Sequence, residues 1–425
     1  MGATDFAVIA GTVFAWGVFS ARLQRLDLTA AILFIAAGVL LAHAPGPMED
    51  LRPGPETIKV MAEVTLVLVL FSDATRVRIA DFRADLGLYA RLLGAGLPLT
   101  IALGTGVAYA LFPGGGVWQA LLIGAALAPT DAALGAALMS NPAVPARIRR
   151  LINVESGLND GIATPFVMLA IAGLSTAEKA GHGGLLDALT ELALGALVGG
   201  GVGGLGGELL RRARGRGWAA EGFAGPAVLG LALCTYATAV AVHGNGFIAA
   251  FVGGTAFGNL SGRENERLVP FVEESGGLAS LLVWMLFGAV AVVPAIEGLT
   301  WQVAIYALLS LTALRMVPVA LVCVGSGLGR ATVAFTGWFG PRGLASVIFA
   351  LLALEELGAA AGPALQVITV TVLLSVFAHG VTAGPLAGVY AAHMRAQPTA
   401  QEHVPVPDLP PRALTRQQAF LARGG

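Results

Sequence analysis

Charge is scarce in this chain. Asp, Glu, Lys and Arg make up 12% of its 425 residues, against 56% hydrophobic ones, and mean hydropathy is +0.78. Lysine is almost missing, with two residues beside 23 arginines, a bias from which no function is read. Cysteine is limited to Cys234 and Cys323, both inside apolar runs, which excludes a disulfide framework and leaves two small hydrophobes. A formal net charge of −1 leaves no basic surface for nucleic acid. Long polar stretches are lacking too. Apolar runs follow one another from Asp5 to about Tyr390 and leave no room for a soluble catalytic domain, so neither an enzyme nor a cofactor is expected.

What is present is membrane-spanning sequence. A span takes about 20 apolar residues, and the chain reads as an all-α polytopic membrane protein. Its thirteen spans lie near 4–20, 28–43, 57–74, 86–112, 116–139, 147–172, 185–208, 224–242, 244–260, 268–293, 299–323, 332–355 and 361–391. The span at 244–260 is short and Gly-rich, as a tilted or partly interfacial helix would be. With the N-terminus outside, the inner loops carry sixteen arginines, among them Arg22, Arg25, Arg78, Arg83, the Arg147–Arg150 and Arg211–Arg216 runs, Arg263 and Arg395; Arg52, Lys59 and Lys179 fall outside. The positive-inside rule therefore expects an outside N-terminus and a cytoplasmic C-terminus in the cell's inner (plasma) membrane. No positive n-region precedes the first apolar run, so a retained helix is expected there and not a cleaved signal. The 396–425 tail, with its Pro-rich Val404-Pro-Val-Pro-Asp-Leu-Pro-Pro411, is expected as a disordered cytoplasmic extension.

Four polar residues stand inside one span. The run Leu151-Ile-Asn-Val-Glu-Ser-Gly-Leu-Asn-Asp160 carries Glu155, Ser156, Asn159 and Asp160, and a charge at the centre of a membrane helix costs roughly 2.5–3.5 kcal/mol. Residues four apart share a helical face, so Glu155 stacks on Asn159 and Ser156 on Asp160 in one strip of oxygen-bearing side chains. Such oxygens suit a hard cation, and a partly dehydrated Na⁺ or Li⁺ needs about five or six of them.

Two other spans are interrupted. Pro129-Thr130-Asp131 lies in the middle of the fifth, and Gly340-Pro341-Arg342-Gly343 in the twelfth. Proline removes an amide donor and clashes with the preceding turn, and unwound backbone survives at that depth only inside protein or along a watery cavity. An ordinary kink would explain either proline alone; two breaks, each beside a charge, favour a binding site. Interrupted helices in corresponding places of two halves are the mark of a secondary transporter built from inverted repeats. The two spans are seven apart, and an odd offset reverses the orientation of the second unit. Carbonyls freed at Thr130 and Asp131 would complete the oxygen set.

A third intramembrane charge, Arg315, must be paired or wetted. Glu155 is expected to pair with Arg342 or Arg315, with Arg342 tried first. His379 reads as a hydrogen-bonded packing residue ahead of a proton relay, and Asp73 and Glu274 fit helix ends or vestibule walls.

With Pro129-Thr130-Asp131, Glu155-Ser-Gly-Leu-Asn-Asp-Gly161, Arg315, Gly340-Pro-Arg-Gly343 and Ser375-Val-Phe-Ala-His-Gly-Val-Thr382 in this order, the chain resembles the monovalent cation/proton antiporters, and among them the electroneutral sodium/proton antiporters of the NhaP type. The resemblance implies an antiporter fold of about thirteen helices with two crossing broken helices, and a homodimer. It implies a transmembrane domain over 1–395, whose core, about 86–172 and 299–391, carries the ion past a dimerisation scaffold, about 4–74 and 185–293. It places Na⁺ at Asp160, Ser156, Thr130 and Asp131, the last mainly through its main chain, with Glu155, Asn159, Arg342 and Arg315 in support. Electrogenic relatives have two aspartates where this chain has Asn159-Asp160, which implies one-for-one exchange. A buried carboxylate holds a proton or a cation but not both well, so competition at Asp160 with alternating access gives Na⁺ (or Li⁺)/H⁺ antiport. Potassium/proton antiport on the same fold is the alternative. A channel would need an open path, and an intramembrane aspartyl protease would need Tyr-Asp and Gly-x-Gly-Asp contexts that are absent.

Overall fold

The computed structural model describes residues 3–24, 28–43, 55–76, 85–131, 134, 144–179, 184–262, 267–397 and 400–403. The second half of the fifth span, Arg25, Arg52, Arg78, Arg83, Arg263 and the 404–425 part of the tail lie outside the described residues. Among the described residues there is no β-strand, and the helices follow the thirteen apolar stretches. They are α1 (Ala3–Gln24), α2 (Ala30–His43), α3 (Pro55–Thr75), α4 (Leu86–Tyr89), α5 (Leu97–Leu111), α6 (Gly116–Ala126), α7 (Ala146–Lys179), α8 (Gly184–Gly215), α9 (Glu221–Ala241), α10 (Gly246–Leu260), α11 (Val269–Phe287), α12 (Val293–Glu297), α13 (Trp301–Leu311), α14 (Ala313–Val322), α15 (Arg330–Trp338), α16 (Leu344–Leu357) and α17 (Gly362–Arg395). π-helical turns at Ala90–Gly96 and Gly288–Val292 carry the fourth and tenth spans through without a break.

Lipid supplies no water to drive helices together, so small residues set how closely they pack. Gly195, Gly199 and Gly203 on α8 lie against the main chain at Asn245, Ala249 and Gly253 of α10. On the opposite side of α10, Gly254 and Gly258 rest on the Phe71 and Thr75 carbonyls of α3. The Gly-rich short span is therefore a buried helix between two others, started by the Asn245 side chain accepting from the amides of Phe247 and Ile248 at 3.1 and 3.0 Å. Its glycines serve close packing.

Charged side chains tie helix ends together. Arg76 pairs with Glu273, Arg147 with Asp85 at 2.6 Å, and Lys59 with Glu355 at 3.0 Å. Asp73 is buried in the last turn of α3, and Glu274 is exposed in the second turn of α11. The tail begins in contact with the bundle. Gln401–His403 form a 3₁₀ turn in which Glu402 accepts from the Gly329 amide at 2.9 Å and the Thr332 hydroxyl at 2.7 Å. Burial alone would favour the neutral acid, but those two donors hold the Glu402 carboxyl below the usual carboxylate range.

The α8–α10 contact is open to a matched test on one helix. A methyl at Gly203 would overlap the Gly253 main chain, whereas one at Gly201 meets nothing. Gly203→Ala is expected to cost about 1–3 kcal/mol and to lower the thermal midpoint of the detergent-solubilised protein; Gly201→Ala leaves it unchanged or raises it. Equal midpoints for the two variants would refute the close approach.

Candidate functional site

Pro129 offers no amide to continue α6, and the chain runs unwound from Leu127 to Asp131. Between α15 and α16 the residues Phe339–Gly343 are likewise non-helical, with Pro341 at their centre. The two interruptions cross and bond to each other. The Asp131 amide donates to the Pro341 carbonyl at 2.8 Å, and the Asp131 carboxylate accepts from the Leu344 amide at 3.2 Å. A carboxylate there satisfies an otherwise orphaned donor and faces the positive end of α16. A side chain at Gly340 would run into Arg315 and Thr130, and one at Gly343 into Asp131, so glycine is required at both by the approach of the two breaks.

Carbonyls at the broken ends need donors, and Arg342 supplies them. Its guanidinium donates to Ala128 O at 3.2 Å and Gly340 O at 3.4 Å through Nη1, and to Ser310 O at 2.9 Å through Nη2. Those oxygens stand at or just past the C-terminal ends of α6, α15 and α13, where three helix dipoles are negative. The Ser346 hydroxyl donates to Ala126 O at 2.6 Å and satisfies one more.

The polar strip of α7 faces this crossing. The Thr130 hydroxyl lies 2.9 Å from the Ser156 hydroxyl and accepts from Asn159 Nδ2 at 2.7 Å. Asp160 follows Ser156 by one turn. It is 8% exposed, whereas Glu155, Ser156 and Asn159 are at 0–1%, so it is the member of the strip that water reaches first. The amide oxygen of Asn159 is buried without a hydrogen-bond partner and remains available to a ligand. Among the described residues no three His, Cys, Asp or Glu side chains group as a tight metal site. The arrangement offers instead hydroxyl, amide, carbonyl and carboxylate oxygens, a set suited to a weakly held, exchangeable hard cation.

Sequence reasoning tried the wrong arginine first. Glu155 pairs with Arg315, whose Nη2 donates to Oε2 at 2.7 Å while Nη1 lies 2.6 Å from Oε1, both residues being almost fully buried. Arg342 is unsuited to that carboxylate because its fork is occupied by helix-end carbonyls. The eleventh span, read as one helix, is also interrupted. Thr312, with φ −113° and ψ −96°, separates α13 from α14, which leaves Ser310 O open to Arg342. No proline marks the spot; the available signal was Arg315, a charge that a helix must be bent to aim.

Two interrupted helices crossing beside buried carboxylates define the class of secondary transporters with inverted repeats. Residues 9–388 match the sodium/hydrogen exchanger, transmembrane family, and the chain belongs to that family. It is 27% identical over 267 residues to a protein of Shewanella oneidensis named as a K⁺/H⁺ antiporter, NhaP2, covering 62% of this chain and 46% of the relative. It is 30% identical over 272 residues to a Na⁺/H⁺ antiporter of Schizosaccharomyces pombe, covering 58% and 56%. The chain thus spans about half the length of these curated relatives. In fold it is similar to the sodium proton antiporter MjNhaP1 of Methanocaldococcus jannaschii, with a TM-score of 0.72 and 18% identity over 91% of this chain and 99% of that one.

The two arginines make separable predictions. Arg315→Ala strands a buried Glu155 carboxylate and is expected to cost about 3–5 kcal/mol, and Glu155→Gln in the same chain recovers part of that in the thermal midpoint. Arg342→Ala is also destabilising, but Glu155→Gln gives it no relief. Rescue of Arg342→Ala by Glu155→Gln would return Arg342 to the pairing.

Proposed function

We propose that the chain is a monovalent cation/proton antiporter whose cation and proton compete for Asp160. The observation that carries this reading is the oxygen cluster of Thr130, Ser156 and Asn159, joined by hydrogen bonds of 2.7 and 2.9 Å where two broken helices cross one turn from Asp160. In this reading the cation takes oxygens from Asp160, Ser156, Thr130 and the main chain at Asp131. Glu155–Arg315 and Arg342 hold the surrounding charges fixed, and Asn159 fixes the Thr130 hydroxyl. Sodium, or lithium, is the expected cation. The K⁺/H⁺ antiporter name of a bacterial relative supports potassium as the second reading. The division of labour is that of a carrier, about 86–172 and 299–391, moving past a scaffold, about 4–74 and 185–293, within a homodimer. The N-terminus lies outside and the C-terminus in the cytoplasm of the plasma membrane.

Asp160→Asn is expected to fold and to abolish exchange, because an amide neither releases a proton nor balances a cation. The check is cation-driven proton flux in proteoliposomes with an internal pH dye, comparing Na⁺, Li⁺ and K⁺. Substantial residual flux from the pure variant would remove Asp160 from the site.

Exchange is expected to be electroneutral, since Asn159 stands where a second acid would carry a second proton. Voltage acts on moved charge at about 2.3 kcal/mol per elementary charge per 100 mV, so a one-for-one cycle is not driven by it. The test is proton uptake under an imposed diffusion potential carried by an ionophore for an ion the protein does not transport. Sustained uptake that Asp160→Asn abolishes would mean that another group joins the cycle.

A further inference from the structure

The Ser375-Val-Phe-Ala-His-Gly-Val-Thr382 segment of α17 takes no part in the site as described, yet it holds the break in the twelfth span from behind. Ser375 and His379 are four apart, share one face of α17, and are both at 0–1% exposure. The Arg342 amide donates to Ser375 Oγ at 2.7 Å. His379 Nδ1 lies 3.2 Å from the same hydroxyl and 2.9 Å from the Ser375 carbonyl, and His379 Nε2 lies 2.9 Å from the Trp338 carbonyl at the end of α15. The Trp338 indole packs against the imidazole, with ring centroids 5.3 Å apart, and donates separately to the Thr382 hydroxyl at 3.1 Å.

Both ring nitrogens face a carbonyl, and a neutral imidazole has one N–H to give. In either tautomer Nδ1 meets the Ser375 hydroxyl, as acceptor of its proton or as donor to its oxygen, and Oγ keeps a lone pair for the Arg342 amide. The next residue back, Pro341, accepts from the Asp131 amide at 2.8 Å. A continuous line thus runs from His379 through Ser375 and the Arg342 peptide to the main chain at Asp131, on the far side of the crossing.

We propose that His379 is a positioning residue of the cation site, setting through Ser375 and the Arg342 peptide where the Thr130–Asp131 main chain stands. The inference rests on the reading of Thr130 and Asp131 as cation ligands. It separates His379 from a residue that merely fills space, because an error in the line is felt as lost cation affinity and not only as lost stability.

The test uses the full chain in proteoliposomes and measures half-saturating cation concentration and maximal rate with Na⁺ and K⁺. His379→Leu is expected to raise the half-saturating concentration about tenfold, the scale of one lost buried hydrogen bond, with a smaller change in maximal rate. His379→Gln, which keeps one donor and one acceptor, is expected to stay within about twofold of the parent. Ser375→Ala reproduces the leucine effect, and the double variant is no worse than the poorer single one, because both cut the same line. Identical behaviour of the Leu and Gln variants, additive losses, or unchanged affinity with less folded protein would each overturn the proposal. If His379→Leu yields no folded protein, Ser375→Ala against Ser375→Thr carries the comparison, and equal affinities for those two overturn it. An active Asp160→Asn would instead defeat the underlying site and leave the geometry of the line untouched.

Discussion

The fold turns on one requirement, that helix ends interrupted inside a membrane still find donors for their carbonyls. Arg342 meets it at three places at once, its guanidinium reaching Ala128, Gly340 and Ser310. Lysine would bring the charge, but it lacks the planar fork that addresses oxygens in separate directions. With these ends satisfied, the crossing can remain unwound and keep oxygens directed at the interior. The glycines at 340 and 343, the Ser346 hydroxyl and the capping carboxylate of Asp131 all answer the same need from other sides.

The Glu155–Arg315 pair has a different function. Both charges are internal to the bundle and cancel, so the strip on α7 keeps one acid, Asp160, with a degree of exposure to water. Buried pairs rarely add stability over apolar packing of the same volume. The pair costs little only while it is intact, and it holds the polar face of α7 against α14 beside the bend at Thr312.

Much of this was legible in the residues. Prolines 129 and 341 announce their breaks only together with the charged residues and glycines beside them, since Pro165, Pro226, Pro318 and Pro385 stay inside continuous helices, and the i, i+4 spacing of Ser156 and Asp160 follows from helix geometry alone. The choice between Arg315 and Arg342 was not legible, because it depends on how α14 rotates about Thr312, and that rotation is imposed by packing. Glycines 195, 199 and 203 show a four-residue period in the chain, but nothing local says that their partner is the short helix that follows two spans later. The same holds for His379, whose role depends on a carbonyl 41 positions away.

The bond between Arg342 and Ala128 joins positions 214 residues apart, which bears on how the molecule is made. At about 5–20 residues per second of synthesis, α6 leaves the ribosome roughly 10–40 s before the arginine that satisfies its open end. During that interval the Ala128 carbonyl lacks the donor it has in the finished fold. The N-terminal half of the chain is therefore made, and its broken helix exposed, before the residue that closes that end exists.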